Sequence, residues 1–305
     1  MKKILVTGAK GFLGSNAVKY FKALRYETYG IGHGIFSQDD LKIIGLDHWK
    51  NSDISSNVIS EFQQNFDIII HCAGSGSVGY SMKNTDEDFK KTVDGTYEVL
   101  EYMRECKSKA HLIYPSSPAV QGEHPDQPIK ENYIGVPASP YGYHKKIAED
   151  LCKSYSKEFQ LNISIVRLFS LYGNGLRKQL LWDACDMITN AKEEVIFWGT
   201  GEETRDFIHI SDVLSLFDIL VNKKEKLHIV NGGTGTKNRV KKVVETIRDL
   251  INPNISVKFN KKVNKGNPKY YCADIQKIEN YGFKANKIFN QEIKNYVKWV
   301  KNLDD

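Results

Sequence analysis

One short stretch of the chain has the residue types and the spacing to move a proton. In Ser139-Pro-Tyr-Gly-Tyr-His-Lys-Lys-Ile-Ala-Glu-Asp150, Tyr141 and Lys145 stand four apart, so a helix places both on one face. A phenol near its usual pKa of ~10 is a poor acid or base at neutral pH, and an ammonium held beside it lowers that value. Tyr-x-x-x-Lys is therefore a compact proton donor or acceptor. Such pairs also arise by chance in lysine-rich helices, so the surrounding elements decide what this one means.

Those elements begin with residues 2 to 7, an apolar run typical of a buried parallel strand. Gly8-x-x-Gly11-x-x-Gly14 follows, and residues 15 to 24 have helical periodicity. Strand, glycine turn and helix is the context of dinucleotide binding: Gly8 turns the chain, Gly11 admits the pyrophosphate and Gly14 lets the helix pack. Phe12 and Leu13, inside the same turn, complete the candidate phosphate contacts. A second strand at 27 to 33 ends on Gly32-His33, where a ribose-binding acid would mark NAD. With no acid there, His33 is either a cation for the 2′-phosphate of NADP or an exposed turn residue. Asp53-Ile54 precedes a helix-like stretch, where Asp53 caps that helix, holds adenine, or does both. Residues 66 to 74 form a strand ending in Cys72-Ala73-Gly74, and 86 to 106 an amphipathic helix through Phe89, Val93, Tyr97, Leu100 and Met103.

Residues 110 to 117 then deliver two hydroxyls, Ser116 and Ser117, at the C-terminal end of a strand, where open α/β sheets bind ligands. The Tyr141–Lys145 helix comes next, then a strand at 162 to 168 and a late one at 227 to 230. Six strands alternating with helices specify an α/β chain with a doubly wound parallel Rossmann sheet. From 171 the pattern loosens into glycine turns, a helix near 178 to 190, a short strand at 195 to 198 and a final amphipathic helix carrying Ile293, Tyr296, Val297 and Val300. The expected division is a dinucleotide-binding domain of 1–170, joined by about 206–231, and a smaller α+β substrate lobe of 171–205 and 232–305.

At 305 residues the chain has room for these two units, and 41% hydrophobic with 26% charged residues is an ordinary globular composition. No apolar run nears the ~20 residues that span a bilayer, so no membrane partner is expected. Five scattered cysteines without a Cys-x-x-Cys or Cys/His cluster speak against disulfides and metal, and fit a reducing cytoplasm. The net charge of +6 is spread without interleaved aromatics, which disfavours nucleic acid and suits a phosphorylated small molecule.

With these pieces in place the sequence resembles the extended short-chain dehydrogenase/reductases, especially their nucleotide-sugar epimerase and reductase branch. The matching residues are Gly8-x-x-Gly11-x-x-Gly14, Asp53-Ile54, His71-Cys-Ala-Gly74, Ser116-Ser117, Tyr141-x-x-x-Lys145 and Arg205-Asp-Phe-Ile-His, in family order over nearly the whole chain. The resemblance implies a nicotinamide cofactor and a nucleotide-diphosphate-sugar substrate. It implies that Tyr141 exchanges a proton with the sugar oxygen, that Lys145 lowers the Tyr141 pKa and holds the nicotinamide ribose, and that Ser117 hydrogen-bonds the reacting carbonyl. Ser77, Val78, Ser170 and Arg205 become candidate substrate contacts. Arg177 and Lys178 join Arg205 at the diphosphate or are a solvated helix start.

Four departures qualify the resemblance. Pro118-Ala119 stands where dehydratases carry Asp-Glu, Ser170 where many members have Asn, and Gly76 where epimerases have Lys. His144 replaces a small polar residue; an exposed helix histidine is the expectation, a second proton relay the alternative. The missing ribose acid and missing dehydratase pair lead to an expected NADP(H)-dependent reductase of a nucleotide-linked 4-keto(-6-deoxy) sugar, with NAD(H) as the other cofactor choice. An NAD-dependent UDP-hexose 4-epimerase is the alternative, motivated by residues 71 to 82. A homodimer through the helices at 86 to 106 and 141 to 159 is expected from the resemblance.

Overall fold

The computed structural model describes residues 1–223, 225–262 and 268–303. Its centre is a seven-stranded, wholly parallel sheet in the order Leu227–Gly232, Asn162–Leu168, His111–Ser116, Ile68–His71, Lys3–Thr7, Glu27–Gly32, His48–Asn51. The chain winds outward from Lys3–Thr7 in one direction and then restarts beside it at Ile68–His71. The point of reversal is where such folds open a ligand crevice. The α/β, doubly wound architecture expected from the strand and helix pattern is borne out.

The strands read as continuous apolar runs because both faces are covered. Ile4, Val6, Ile70 and Ile113 pack into one core with Phe21, Val213 and Phe217, while Leu5, Ile69, Leu112 and Tyr114 pack into another with Leu100, Met103 and Ala148. A third core, formed by Leu181, Val195, Val244, Ile247, Ile293 and Val297, belongs to the later part of the chain. There the strands Glu194–Phe197 and Ser256–Phe259 pair in parallel beneath helices Gln179–Thr189, Val240–Ile251 and Phe289–Lys301.

Three local expectations are corrected. The edge strand His48–Asn51 is an addition to the expected strands, since its four residues are polar or aromatic and none is fully buried. The helix expected over 86 to 106 is Thr85–Phe89, a π-helical turn at Lys90–Asp94, and Gly95–Glu105. Asp53 does not cap the following helix: Ser55 does, accepting from the Val58 amide at 3.2 Å.

The sheet also buries imidazoles. His71 Nδ1 lies 2.7 Å from the Thr7 hydroxyl, and burial aided by the Lys145 charge holds its pKa down to about 3. His111 Nε2 lies 2.8 Å from the Ser164 hydroxyl, and burial followed by the His228 ring pushes it down to about 4. Both stay neutral in the folded chain where the unfolded chain, with values near 6.5, takes up protons. Stability is therefore complete above about pH 6.5 and falls below it, by up to ~2.7 kcal/mol per pH unit for two protons once the unfolded imidazoles are charged. Thermal unfolding between pH 7.5 and 5, above the carboxylate range, tests this. A flat melting temperature over that window refutes it.

Candidate active site

The glycine turn is shaped by contacts that only glycine permits. Gly8 has φ +65°, and a Cβ there would stand 2.7 Å from the Ala73 amide nitrogen. Gly14 lies in the first turn of the helix Phe12–Ala23, and its Cβ would meet the Gly8 carbonyl at 2.3 Å. Gly11 is the N-cap and offers no side-chain bond, so the first amides of a twelve-residue helix face the crevice unsatisfied by any cap. Ala17, Val18 and Phe21 seat that helix on the sheet. The Phe12 ring reaches the turn at Gly173 and Gly175, whose φ angles are +150° and +102°, while Leu13 packs on the core. Cys72, Ala73 and Gly74 form the facing wall, with the Ala73 amide donating to the Thr7 hydroxyl at 3.1 Å.

The helix Pro140–Phe159 starts where the sequence directs it. Ser139 caps it by accepting from the Gly142 amide, and Pro140 occupies the first turn without needing a donor. Gly142 then decides the geometry. A Cβ on it would lie 2.6 Å from the Ala119 carbonyl, so the helix can press against the loop that follows Ser117. This turns the Tyr141 phenol towards the strand end that carries Ser117. Burial raises the phenol above its ordinary value, the Ser117 hydroxyl opposes this, and the Asp88 charge adds to it. Lys145, 6% exposed, reaches the Pro115 carbonyl at 3.0 Å and lies over the Tyr114 ring at 4.8 Å. Burial lowers its pKa to about 8 against the opposing charges of Cys72 and Asp88. The depression of Tyr141 expected from Lys145 is thus not present: the phenol stands above its ordinary value, and the ammonium is turned to the Pro115 carbonyl.

The remaining candidates divide. Ser77 caps the helix Val78–Lys83, which presents Val78 at its start, and the Ser81 hydroxyl of that helix accepts from the Tyr141 amide at 3.0 Å. Ser170 opens a short strand, its amide bonded to the Asp206 carbonyl at 2.8 Å. Arg205 donates to the carbonyls of Thr204 and Pro268 and lies 5.6 Å over the Tyr271 ring. Arg177 and Lys178 are exposed; Arg177 lies over Trp182, while the Lys178 ammonium stands 3.7 Å from where a Gly76 Cβ would be. His33 and Asp53 are drawn to each other, Nε2 to Oδ1 at 2.8 Å, with Ile54 packed on the core behind them. A 2′-phosphate placed at His33 would meet the Asp53 carboxylate as well, so the NADP preference finds no support here.

The family model for the NAD dependent epimerase/dehydratase family matches residues 4–233. The chain belongs to that family. This bears out the resemblance to extended short-chain dehydrogenase/reductases, NAD(P)-dependent enzymes. It is similar to a putative UDP-glucose 4-epimerase from Methanocaldococcus jannaschii, 30% identical with 98% of each chain covered. A Bacillus subtilis protein described as an uncharacterized UDP-glucose epimerase is 29% identical, covering 91% of this chain and 90% of its own. Among solved structures, a mutant UDP-glucuronic acid 4-epimerase from Bacillus cereus superposes with a TM-score of 0.89 at 25% identity over 99% of each chain. That structure is in complex with UDP-4-deoxy-4-fluoro-glucuronic acid and NAD.

The residues of this family member fit a dinucleotide: the cradle between Gly8, Gly14 and Ala73 is backbone that a Cβ would fill, and uncapped amides face it. Other polar groups around the site lie outside the sequence motifs. Glu149, on the helix Pro140–Phe159, accepts from the Ser116 hydroxyl at 2.7 Å and from Arg167 at 3.0 and 2.8 Å. An arginine inside the apolar strand Asn162–Leu168 is the signal in the sequence that could have found it. Asp206, fully buried, accepts from the amides of Thr234, Gly235 and Ala273 at 2.8, 2.9 and 3.1 Å, joining three segments behind the site. His144 is corrected too. It is 7% exposed and bonded to Asp88, not an exposed helix histidine.

Proposed function

We propose that the protein is an NAD-dependent 4-epimerase of a UDP-sugar. The observation that carries this is the grouping of Ser117, Tyr141 and the buried Lys145 at the sheet edge where the glycine turn would hold the dinucleotide, in a chain similar to a putative UDP-glucose 4-epimerase. When bound, the dinucleotide supplies a hydride acceptor and donor. Tyr141, as the phenolate, takes the proton of the sugar 4-hydroxyl and, as the phenol so formed, returns it to the carbonyl oxygen after the ring has turned. Ser117 hydrogen-bonds that oxygen while its charge changes, a role for a donor already fixed in place. Lys145 holds the nicotinamide ribose, and the glycine turn with Phe12, Leu13, Asp53, Ile54 and the Cys72–Gly74 wall holds the rest. Ser77, Val78, Ser170, Arg177, Lys178 and Arg205 contact the nucleotide sugar, over which the smaller lobe of 171–205 and 232–305 closes. Two copies pair through the helices that expose Tyr97, Tyr143 and Ile147.

A ketosugar reductase has one observation in its favour: burial and Asp88 keep Tyr141 a phenol, the form that donates a proton to a ketone. Mass spectrometry of the dinucleotide released on denaturation separates the two. Near-stoichiometric NAD, with UDP-hexose interconversion needing no added cofactor, is the expected result. Release of NADP, or an empty protein that oxidises NADPH with a 4-keto sugar, overturns the epimerase.

A further inference from the structure

Beside the Tyr141–Lys145 face lies a buried carboxylate that the chemistry above does not use. Asp88, on the short helix Thr85–Phe89, is 0% exposed, and its Oδ2 lies 2.5 Å from Nδ1 of His144. Its other oxygen, Oδ1, is buried without a hydrogen-bond partner among the described residues. His144 follows Tyr141 by three positions and precedes Lys145 by one, so the pair is anchored in the turn that carries the reacting groups. The Phe89 ring closes edge-on against the imidazole at 5.3 Å between centroids.

Burying a carboxylate on one imidazole is costly, and an unpaired buried acceptor adds to the cost. Apolar residues at 88 and 144 would join these two helices without it. The chain after Phe89 is also irregular: the π-helical turn Lys90–Asp94 carries Thr92, whose hydroxyl accepts from the Ser75 amide at 3.4 Å, on the wall of the crevice. Single π turns of this kind recur at functional sites.

Among the described residues, the titratable groups facing Tyr141 come from four elements. Its own helix supplies Lys145 and His144, and Thr85–Phe89 supplies Asp88. Tyr114 comes from the strand His111–Ser116, and Tyr271 from the segment beyond 268. Asp88 is the one carboxylate among these described residues. Its charge opposes ionisation of the phenol and supports the Lys145 ammonium against burial. The two effects point the same way, towards a protonated pair.

We propose that Asp88 and His144 are positioning residues for proton transfer at Tyr141. The imidazole clamps the carboxylate at the root of the catalytic helix, and the carboxylate's charge sets the protonation of the phenol and the ammonium. The inference rests on Tyr141 being the proton-transfer group, whatever the sugar.

The test is 13C NMR of the whole protein labelled at the tyrosine Cζ, with the Tyr141 resonance assigned by its loss in Tyr141→Phe. Asp88→Asn keeps the shape and removes the charge, and it lowers the Tyr141 titration midpoint by about one pH unit, tenfold in the acid constant. His144→Asn, whose amide nitrogen takes the place of Nδ1, leaves the midpoint near that of the native protein. His144→Leu frees the carboxylate and moves the midpoint. An unchanged midpoint in folded Asp88→Asn overturns the proposal. If Asp88→Asn does not fold, equal midpoints in His144→Asn and His144→Leu overturn it instead. The pH profile of kcat moves with the midpoint, whereas a merely structural pair would lower kcat without moving it. If no nucleotide sugar is turned over, the epimerase reading fails while the titration still decides this one.

Discussion

Replacing Tyr141 with phenylalanine lowers kcat by about 10²–10⁴-fold, the usual contribution of a positioned acid-base group, and leaves KM within a few-fold. The asymmetry follows from where the hydroxyl sits. It faces the strand end of Ser117, where the proposed sugar oxygen would lie, while the ring is held by the helix that Gly142 lets press against Ala119. Phenylalanine keeps the ring and removes the proton. The retained dinucleotide should be unchanged, because the glycine turn and Lys145 hold it without the phenol. Lys145→Met has a different signature: it removes the side chain that reaches the Pro115 carbonyl and should weaken both kcat and dinucleotide retention. Ser117→Ala costs on the order of 10²–10³-fold, the loss of one donor to the developing charge, with Tyr141 still supplying the proton. Steady-state rates with a UDP-hexose and mass spectrometry of released NAD check all three. A Tyr141→Phe protein as active as the native one would end this assignment of the proton donor.

The candidate site residues are legible in the sequence because each is tied to a local pattern. Gly8, Gly11 and Gly14 follow an apolar strand and open a helix, so their spacing alone places backbone amides at a sheet edge. Tyr141 and Lys145 share a helix face by periodicity, and Ser117 ends a strand. What the sequence conceals is of two kinds. Short elements held by tertiary contact carry little pattern: His48–Asn51 is a four-residue edge strand with polar ends, formed because Glu27–Gly32 has a free side to pair. The helix Val240–Ile251, by contrast, does carry a pattern: Val240, Val243, Val244 and Ile247 recur at helical spacing, with Lys241, Lys242 and Glu245 between them. The second kind is pairing across distance. Nothing local to His144 announces Asp88, 56 positions earlier, nor does Glu149 announce Arg167. Polar residues look exposed in a helix wheel until the partner that permits their burial is known. His33 shows the converse: a missing ribose acid points to NADP, yet Asp53 from the next strand end supplies a carboxylate at the same place.

Arg167→Leu should destabilise the protein by about 3–5 kcal/mol, the cost of stranding a buried charge without its partner. Glu149 is 1% exposed, and its two oxygens take a fork of bonds from Arg167 at 3.0 and 2.8 Å and one from Ser116 at 2.7 Å. Arg167 also donates to the Glu131 carbonyl at 2.7 Å. Removing the guanidinium leaves a carboxylate enclosed in the sheet with Ser116 and, at 3.8 Å, Lys153 as its neighbours. At roughly 2–4 °C per kcal/mol for a chain of this size or a little smaller, the melting temperature falls by about 6–20 °C. Replacing both partners, Arg167→Met with Glu149→Leu, should recover most of the loss, since a buried pair is often no better than an apolar one of similar volume. Activity need not recover with it. Ser116 precedes Ser117 on the strand end, and the Glu149 bond fixes that end against the catalytic helix. A double variant that melts near the native temperature but turns over more slowly therefore separates the two roles. Stability belongs to avoiding an uncompensated charge, and the ionic bond itself serves to hold Ser117 under Tyr141. Urea unfolding with kcat on the same preparations reads both, and an Arg167→Leu protein within about 1 kcal/mol of native would refute the first role.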